Sequence, residues 1–132
     1  MSASTTRLAR LFTVEYVKRI NAQIVSPQTS VVVKPDELAS ALARPIHVSA
    51  YEPDRPPAYL AATLSYGIIK GHPFMDGNKR TAFFIGNQYA RALGLSGLGD
   101  ERASDFVADL TQRHIDVAAG RMDIEGLAGV ST

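Results

Sequence analysis

Two apolar runs with helical spacing lie on either side of a short polar segment, and this arrangement constrains the fold most. The first run, over residues 58–69, places these residues along one helix face: Leu60, Ala61, Leu64, Gly67 and Ile68. The second, over residues 78–93, does the same with Ala82, Ile85, Gly86, Tyr89 and Leu93. Between them, residues 71–81 read Gly-His-Pro-Phe-Met-Asp-Gly-Asn-Lys-Arg-Thr. The pattern predicts two helices joined by this segment, the second closed by Gly94.

The remaining helices are shorter and are marked by caps and breakers. We predict them over residues 14–22, 35–44, 105–118 and 123–128. Thr13 and Ser104 are candidate N-caps, Pro35 suits a first helical position, and Pro45 should end the helix that Pro35 opens. Residues 25–33 suggest a loop with a short strand at the valines. With five or six helices and little strand, the chain is predicted to be all-α, a small helical bundle.

Two segments are expected to lie outside the helices. Residues 1–10 are predicted to be a flexible lead, and residues 11–132 a single domain. Residues 46–57 contain three prolines and are predicted to be an exposed connector or a short hairpin. The chain has 132 residues, of which 45% are hydrophobic, enough for one core.

Charge and composition exclude several classes of function. A formal net charge of +1 argues against a general nucleic-acid binder, so no nucleic-acid partner is expected. There is no cysteine, hence no disulfide framework, thiolate nucleophile or cysteine-ligated metal. No apolar run approaches the ~18 residues of a membrane span. These features fit a cytoplasmic protein that has no membrane partner.

Residues 71–81 have the parts of an anion-binding site. Gly77 and Asn78 tolerate positive φ, so the backbone can turn tightly before the helix that follows. The first amides of that helix are unpaired and lie at the positive end of its dipole. Lys79 and Arg80 add two positive charges, and arginine can hold phosphate oxygens in a bidentate fork. A polyphosphate is the predicted ligand.

Neighbouring residues supply what phosphate-group transfer to an alcohol requires. Asp76 can hold Mg²⁺ together with phosphate oxygens. His72 supplies an imidazole that can take the proton of a hydroxyl. Phe74 is expected to point into the core and anchor the loop. The spacing is not that of a Walker A loop, and His47 and His114 are interpreted as ordinary solvated or hydrogen-bonded histidines.

The segment His72-Pro-Phe-Met-Asp-Gly-Asn-Lys-Arg80 resembles the signature of the Fic/Doc (Fido) family, His-x-Phe-x-Asp/Glu/Asn-Gly/Ala-Asn-Gly/Lys-Arg. The resemblance extends over residues 11–120 and implies a small helical bundle with the motif between two central helices. It implies that His72 is the catalytic base and that Asp76 binds Mg²⁺. It also implies that Asn78 and the amides near Gly77 form an anion cradle, with Lys79 and Arg80 on the phosphates of ATP.

Two positions make the chain similar to the Doc (death-on-curing) toxins. Most Fic proteins have glycine at the place of Lys79 and a second arginine at the place of Phe83, and they transfer AMP to a protein hydroxyl. Doc binds ATP in the opposite orientation to those Fic proteins and passes the γ-phosphate to a threonine of elongation factor Tu. The resemblance implies a protein kinase toxin; AMP transfer and an inactive binding module stay open as alternatives.

The resemblance also implies contacts with other proteins. Residues 47–55 would form a flap that pins a target segment by strand-like pairing, with these residues in contact: His47, Val48, Ser49, Ala50 and Tyr51. Family members are often inhibited by a helix whose glutamate pairs with the second arginine. Glu125 is the nearest fit, but Arg121 occupies the Ser/Thr position of that pattern and Phe83 removes the partner. Self-inhibition is therefore not expected, and a separate antitoxin protein is.

Overall fold

In the computed structural model, which describes residues 3–95 and 106–128, the chain is a bundle of helices. Its elements are α1 Ala3–Leu11, α2 Val14–Val25, α3 Pro35–Tyr51, α4 Pro57–Gly71, α5 Asn78–Ala92, α6 Phe106–Ala118 and α7 Ile124–Ala128. The described residues contain no strand beyond one isolated bridge, between Val32 and Phe74. The predicted all-α class is confirmed.

The centre of the bundle is α4, which contacts α3, α5, α6 and α7. A helix that is apolar on nearly every side must be covered on nearly every side. Its buried residues are Leu60, Ala61, Ala62, Thr63, Leu64, Ser65, Gly67, Ile68 and Ile69. On the α3 side, a Cβ at Gly67 would lie 2.9 Å from the Cβ of Ala41, so the two helices touch almost backbone to backbone. Residues 71–81, which we call the motif, begin at the C-terminal end of this helix.

Several predicted helix boundaries are confirmed. The Thr13 side chain accepts a hydrogen bond from the Tyr16 amide at 3.1 Å and so caps α2. That helix continues to Val25, three residues beyond the prediction, because no breaker occurs before Ser26 and Pro27. At the end of α5, Gly94 has φ 91°, as its predicted closing role requires.

The prediction that Pro45 ends α3 is wrong, and so is the hairpin predicted after it. The helix continues through Pro45 to Tyr51. A proline inside a helix removes a single amide donor, and here its ring is buried, while Val48 packs against the core one turn later. Burial of Pro45 and packing of Val48 against the core outweigh the local helix-breaking tendency, so residues 46–51 are helical and not extended.

The segment predicted as a flexible lead, residues 1–10, includes most of a helix. Residues 3–11 form α1, in which Leu8 is 2% exposed. The Thr5 hydroxyl is buried and donates to the Ser49 hydroxyl of α3 at 3.4 Å. The Ser/Thr-rich sequence showed no apolar helical pattern, because the buried residues of this helix, among the side chains that the structure describes, are a single leucine, Leu8, and a threonine, Thr5.

The C-terminal helices follow the prediction where they are described. The candidate cap Ser104 and residues 96–103 lie outside the described residues. The helix over Phe106–Ala118 ends before Gly120, whose φ is 79°, and the short helix Ile124–Ala128 is present. Within the described part of the chain, no helix has the length and apolar character needed to span a bilayer.

Candidate active site

Near the start of the motif, His72 has an unusual backbone conformation. This residue ends α4 with φ 52° and ψ 52°, and its amide donates to the Ile68 carbonyl at 3.1 Å. Left-handed conformations are uncommon outside glycine and concentrate at functional sites. The following Pro73 disfavours a continued helix, so the chain turns here and leaves the His72 side chain exposed.

Phe74 and Asn78 close the loop between the two helices. Phe74 is fully buried, as predicted. Its amide donates to Asn78 Oδ1 at 3.0 Å, and its carbonyl accepts from Asn78 Nδ2 at 2.8 Å. Both polar groups of the asparagine side chain are therefore engaged by the loop itself. The Asn78 side chain therefore fixes the shape of the loop.

Gly77 makes the tight turn that the sequence predicts. Its φ is 77°, and a Cβ at this position would lie 2.8 Å from Val25 Cγ1. Glycine is required here both by conformation and by the close approach of α2. Asn78 is the first residue of α5, where this helix was predicted to begin. The first-turn amides of this 15-residue helix consequently open at the segment where the charged side chains lie.

The predicted catalytic and nucleotide-binding residues line one cavity of about 240 Å³, which we call the motif cavity. It is formed by His72, Met75, Asp76, Gly77, Asn78, Lys79 and Arg80. The side chains of His72, Asp76, Lys79 and Arg80 are exposed. Arg80 Nη1 donates to the Ile24 carbonyl at the end of α2, at 3.2 Å. A base, a carboxylate, two cations and a helix N-terminus thus share one open pocket.

Asp76 fits a magnesium ion that also binds phosphate. Its Oδ1 accepts from the Gly77 amide at 2.8 Å, which orients the carboxylate and leaves Oδ2 for a cation. Among the described residues, no group of three or more histidine, aspartate or glutamate side chains is placed to bind a metal. A single carboxylate completed by phosphate oxygens and water is a common arrangement for Mg²⁺.

A second cavity, which the sequence did not predict, adjoins the first. It has a volume of about 540 Å³ and is lined by Ile24, Lys79, Arg80, Phe83, Phe84, His114 and Ile115. Lys79 and Arg80 belong to both cavities, and the rest of the lining is mostly apolar. We call this second cavity the apolar groove. It escaped prediction because its walls come from α2, α5 and α6, which are distant in sequence.

The histidine in the apolar groove is buried and hydrogen-bonded within the bundle. His114 is 3% exposed, its Nε2 lies 2.8 Å from the Ser65 hydroxyl, and its ring lies 5.1 Å from that of Phe83. The interpretation of His114 as a hydrogen-bonded residue is confirmed. His47 is exposed on α3, as expected of a solvated histidine.

The extended segment beside the motif is not the one that was predicted. His47, Val48, Ser49, Ala50 and Tyr51 belong to α3, and none of them lines the motif cavity. Instead, the Val33 amide donates to the Pro73 carbonyl at 2.7 Å, and the Met75 amide donates to the Val31 carbonyl at 2.9 Å. The valine run thus forms the short strand-like segment that was expected in residues 25–33, and it lies directly on the motif.

Sequence reasoning missed one polar residue behind the motif. Asn21 is 1% exposed, and its Nδ2 donates to the Asp76 carbonyl at 2.9 Å and to the Thr81 hydroxyl at 3.0 Å. The signal was available, because Val17, Asn21 and Val25 follow one another at four-residue spacing. A polar residue within such an apolar row must find partners inside the protein.

Glu125 lies away from the motif cavity. Its Oε1 is 3.0 Å from Arg55 Nη1, in the connection between α3 and α4. Arg55 also bonds Glu52 and lies over the Tyr59 ring, 4.3 Å from its centroid. The Glu125 side chain is thus paired outside the motif cavity.

A comparison with protein families is consistent with this geometry. The model of a family described as Fic/DOC matches residues 11–90, more than half of the chain. The match runs from the end of α1 through most of α5 and includes every residue that lines the motif cavity. A comparison with curated proteins finds no match.

Proposed function

The chain belongs to the Fic/DOC family, and we propose that within it the protein is a Doc-like kinase. It would transfer the terminal phosphate of ATP to a serine or threonine hydroxyl of another protein. By resemblance, the target is a translation factor such as elongation factor Tu, which would place the reaction in the cytoplasm. The observation that carries the proposal is the apolar groove at Phe83.

The groove favours one direction of nucleotide binding. A triphosphate tail that entered the groove would lose water against Phe83, Phe84 and Ile115. Among the described residues that line the groove, Lys79 and Arg80 are the charged partners it would meet. A purine base would instead bury apolar surface there. With the base in the groove, the tail crosses Lys79 and Arg80 and brings the terminal phosphate to the Gly77 turn. AMP transfer would need the α-phosphate at that turn.

The residues of the motif cavity would then act on the terminal phosphate. The oxygen of the target hydroxyl attacks the γ-phosphorus, the bond from that phosphorus to the bridging oxygen of ADP breaks, and an imidazole nitrogen of His72 takes the hydroxyl proton. First-turn amides of α5, with Lys79 and Arg80, stabilise the charge on the phosphate oxygens. Magnesium, held through Asp76, would neutralise phosphate charge when bound.

The extended segment at the motif suits a target peptide. Because the Val31 carbonyl and the Val33 amide face the motif, the backbone groups of Val32 point to the opposite edge. An incoming segment could pair there in strand fashion and present its hydroxyl to His72. Met75 is 67% exposed and Val33 is 46% exposed, so an apolar residue beside the hydroxyl would find contact. We therefore assign the flap to residues 31–33.

The experiment is a paired labelling reaction. Purified protein, Mg²⁺ and a cell lysate are incubated with ATP labelled at the α- or the γ-phosphate. We expect a protein band labelled from γ-labelled ATP only. The matched variant is His72→Asn, because asparagine tolerates the left-handed backbone but cannot act as the base. It should lose the label while its unfolding midpoint stays close to that of the unchanged protein.

Transfer of AMP is the second candidate, because Pro73 and Gly77 are typical of ordinary Fic motifs. It predicts label from α-labelled ATP, and that result would overturn the kinase proposal. The third candidate, an inactive binding module, would be favoured if calorimetry detected no binding of Mg-ATP. Full labelling activity in His72→Asn would exclude His72 as the base under either enzymatic reading.

A toxin role and a separate antitoxin protein form part of the proposal. Expression of the chain should then slow growth and translation, and Asp76→Ala should relieve the effect because it removes the carboxylate that holds Mg²⁺. Equal toxicity of the variant would separate growth inhibition from phosphate transfer.

A further inference from the structure

Three hydrogen-bonding groups meet at Asn21 behind the turn at Gly77. Its Nδ2 donates to the Asp76 carbonyl and to the Thr81 hydroxyl, at 2.9 and 3.0 Å. Its Oδ1 accepts from the Ser30 hydroxyl. The amide orientation is determined by chemistry, since the Asp76 carbonyl can only accept and must face the NH₂ group. One buried side chain thus joins α2, the start of the flap segment and both sides of the turn.

The contacts on the turn come from consecutive parts of one helix surface. A Cβ at Gly77 would lie 3.1 Å from Asn21 Nδ2 and 2.8 Å from Val25 Cγ1, so the turn lies directly on α2. Arg80 reaches the Ile24 carbonyl of the same helix. The bonds to Asp76 and Thr81 connect the residue before the turn with the first turn of α5. Between these two anchors lie Gly77, Asn78, Lys79 and Arg80, the whole proposed phosphate site.

We propose that Asn21 is a positioning residue for nucleotide binding: it holds the Asp76 backbone and the α5 N-terminus in the spacing that a magnesium-bound phosphate needs. The inference rests on the proposed function, because it presumes that Asp76 and the α5 amides bind Mg-ATP. Asn21 itself is buried and acts through the turn. Its loss would let the carboxylate and the amides move relative to each other, and would weaken binding that needs both at once.

The second consequence concerns the flap. Ser30 precedes Val31–Val33 and bonds the same amide that bonds the turn. Asn21 therefore also sets the position of the peptide-binding edge relative to the phosphate site. Removing the Ser30 hydroxyl should disturb the network from its outer side and leave the two bonds to the turn in place. Its effect on nucleotide binding should accordingly be the smaller one.

The test measures binding of ATP by calorimetry, with and without Mg²⁺, for the full chain and three variants. Asn21→Leu removes all three hydrogen bonds, keeps a similar volume and adds no charge. Ser30→Ala removes only the outer bond. Val17→Ala is the matched control, because Val17 is fully buried four residues earlier on α2, and its truncation loosens packing without touching a hydrogen bond of the turn. Circular dichroism confirms that each variant is folded.

We expect Asn21→Leu to raise the Kd of Mg-ATP about tenfold and Ser30→Ala about threefold. Val17→Ala should stay within about twofold of the unchanged protein. The gain in affinity from Mg²⁺ should also shrink in Asn21→Leu, which a general loss of packing would not produce. If Asn21→Leu binds Mg-ATP as the unchanged protein does, the positioning role is wrong while the proposed function stands.

Misfolding of Asn21→Leu and absence of ATP binding are two further possible outcomes. If Asn21→Leu does not fold, Ser30→Ala decides, and unaltered binding in that variant overturns the inference. If the unchanged protein binds no ATP in either condition, the proposed function fails and the inference fails with it.

Discussion

At the scale of single residues, the motif depends on conformation as much as on chemistry. His72 and Gly77 both have positive φ, and the Asn78 side chain forms hydrogen bonds with the Phe74 amide and carbonyl. These choices place the exposed base, the carboxylate and the cations around one cavity. A histidine in the left-handed region is maintained only because the surrounding bonds determine it.

Replacing Gly77 by alanine separates backbone strain from crowding. We expect Gly77→Ala to lower the free energy of unfolding by about 2–4 kcal/mol, from the left-handed conformation and from overlap with Val25. Gly94→Ala is the matched control, since Gly94 has φ 91° and a Cβ there would meet nothing within 4 Å. It should lose only about 1–2 kcal/mol. Urea denaturation measures both, and equal losses would show that α2 does not crowd the turn.

Tyr89 should reveal its burial in alkaline solution. Burial raises the pKa of Tyr89 to about 12 from its ordinary value of 10.0. Between these values the unfolded chain loses the phenol proton and the folded chain keeps it, so stability present below pH 10 is lost as pH rises toward 12. Absorbance near 295 nm should show one of five tyrosines titrating late. Tyr89→Phe should abolish that step, and Tyr51→Phe should retain it, because Tyr51 is 84% exposed.

At the scale of elements, burial overrides local sequence signals where the two conflict. The third helix passes through Pro45 because that ring is buried and Val48 packs against the core one turn later. The first helix forms from Ser/Thr-rich sequence because Leu8 is buried. By contrast, α4 and α5 were predicted almost to the residue, since their long apolar rows and the glycines that follow them point to the same answer.

The contact between α3 and α4 gives a prediction at this scale. Alanine is a better helix former than glycine, yet Gly67→Ala should reduce stability by about 1–3 kcal/mol, because the new Cβ would overlap the Ala41 Cβ at 2.9 Å. Ala41→Gly removes that Cβ. The double variant should be more stable than the sum of the single changes predicts, by about 1 kcal/mol. Additive effects in thermal unfolding would contradict a direct contact.

At the scale of the whole molecule, the site lies where the central helix ends and its neighbours converge. The α2 helix supports the turn at Gly77, the valine segment lies along the other side of the motif, and α6 completes the apolar groove. The C-terminal helices are joined by Arg113, whose Nη1 donates to the Leu127 carbonyl at 2.7 Å. They cover α4, and Glu125 pairs with Arg55 and not with a residue of the motif cavity.

This arrangement predicts that the C-terminal glutamate does not restrain the enzyme. Glu125→Gln should leave the rate of γ-phosphate labelling within about twofold of the unchanged protein, because Arg55 keeps Glu52 and Tyr59 as partners. The expected change in stability is small, since the pair is about one-third exposed. Labelling that rose tenfold or more would show that the last helix inhibits transfer and would remove the reason to expect a separate antitoxin.

The sequence by itself determined the helical class, the two central helices and the chemistry-bearing residues of the motif. These depend on short-range rules: apolar spacing, glycine and proline breakers, and charges within nine neighbouring positions. Only the tertiary structure decided the course of α3, the burial of α1, the pairing of the valine segment with the motif, the apolar groove and the partners of Asn21. Each of these joins elements that are far apart along the chain, and packing between them overrides the preferences that a local sequence can express.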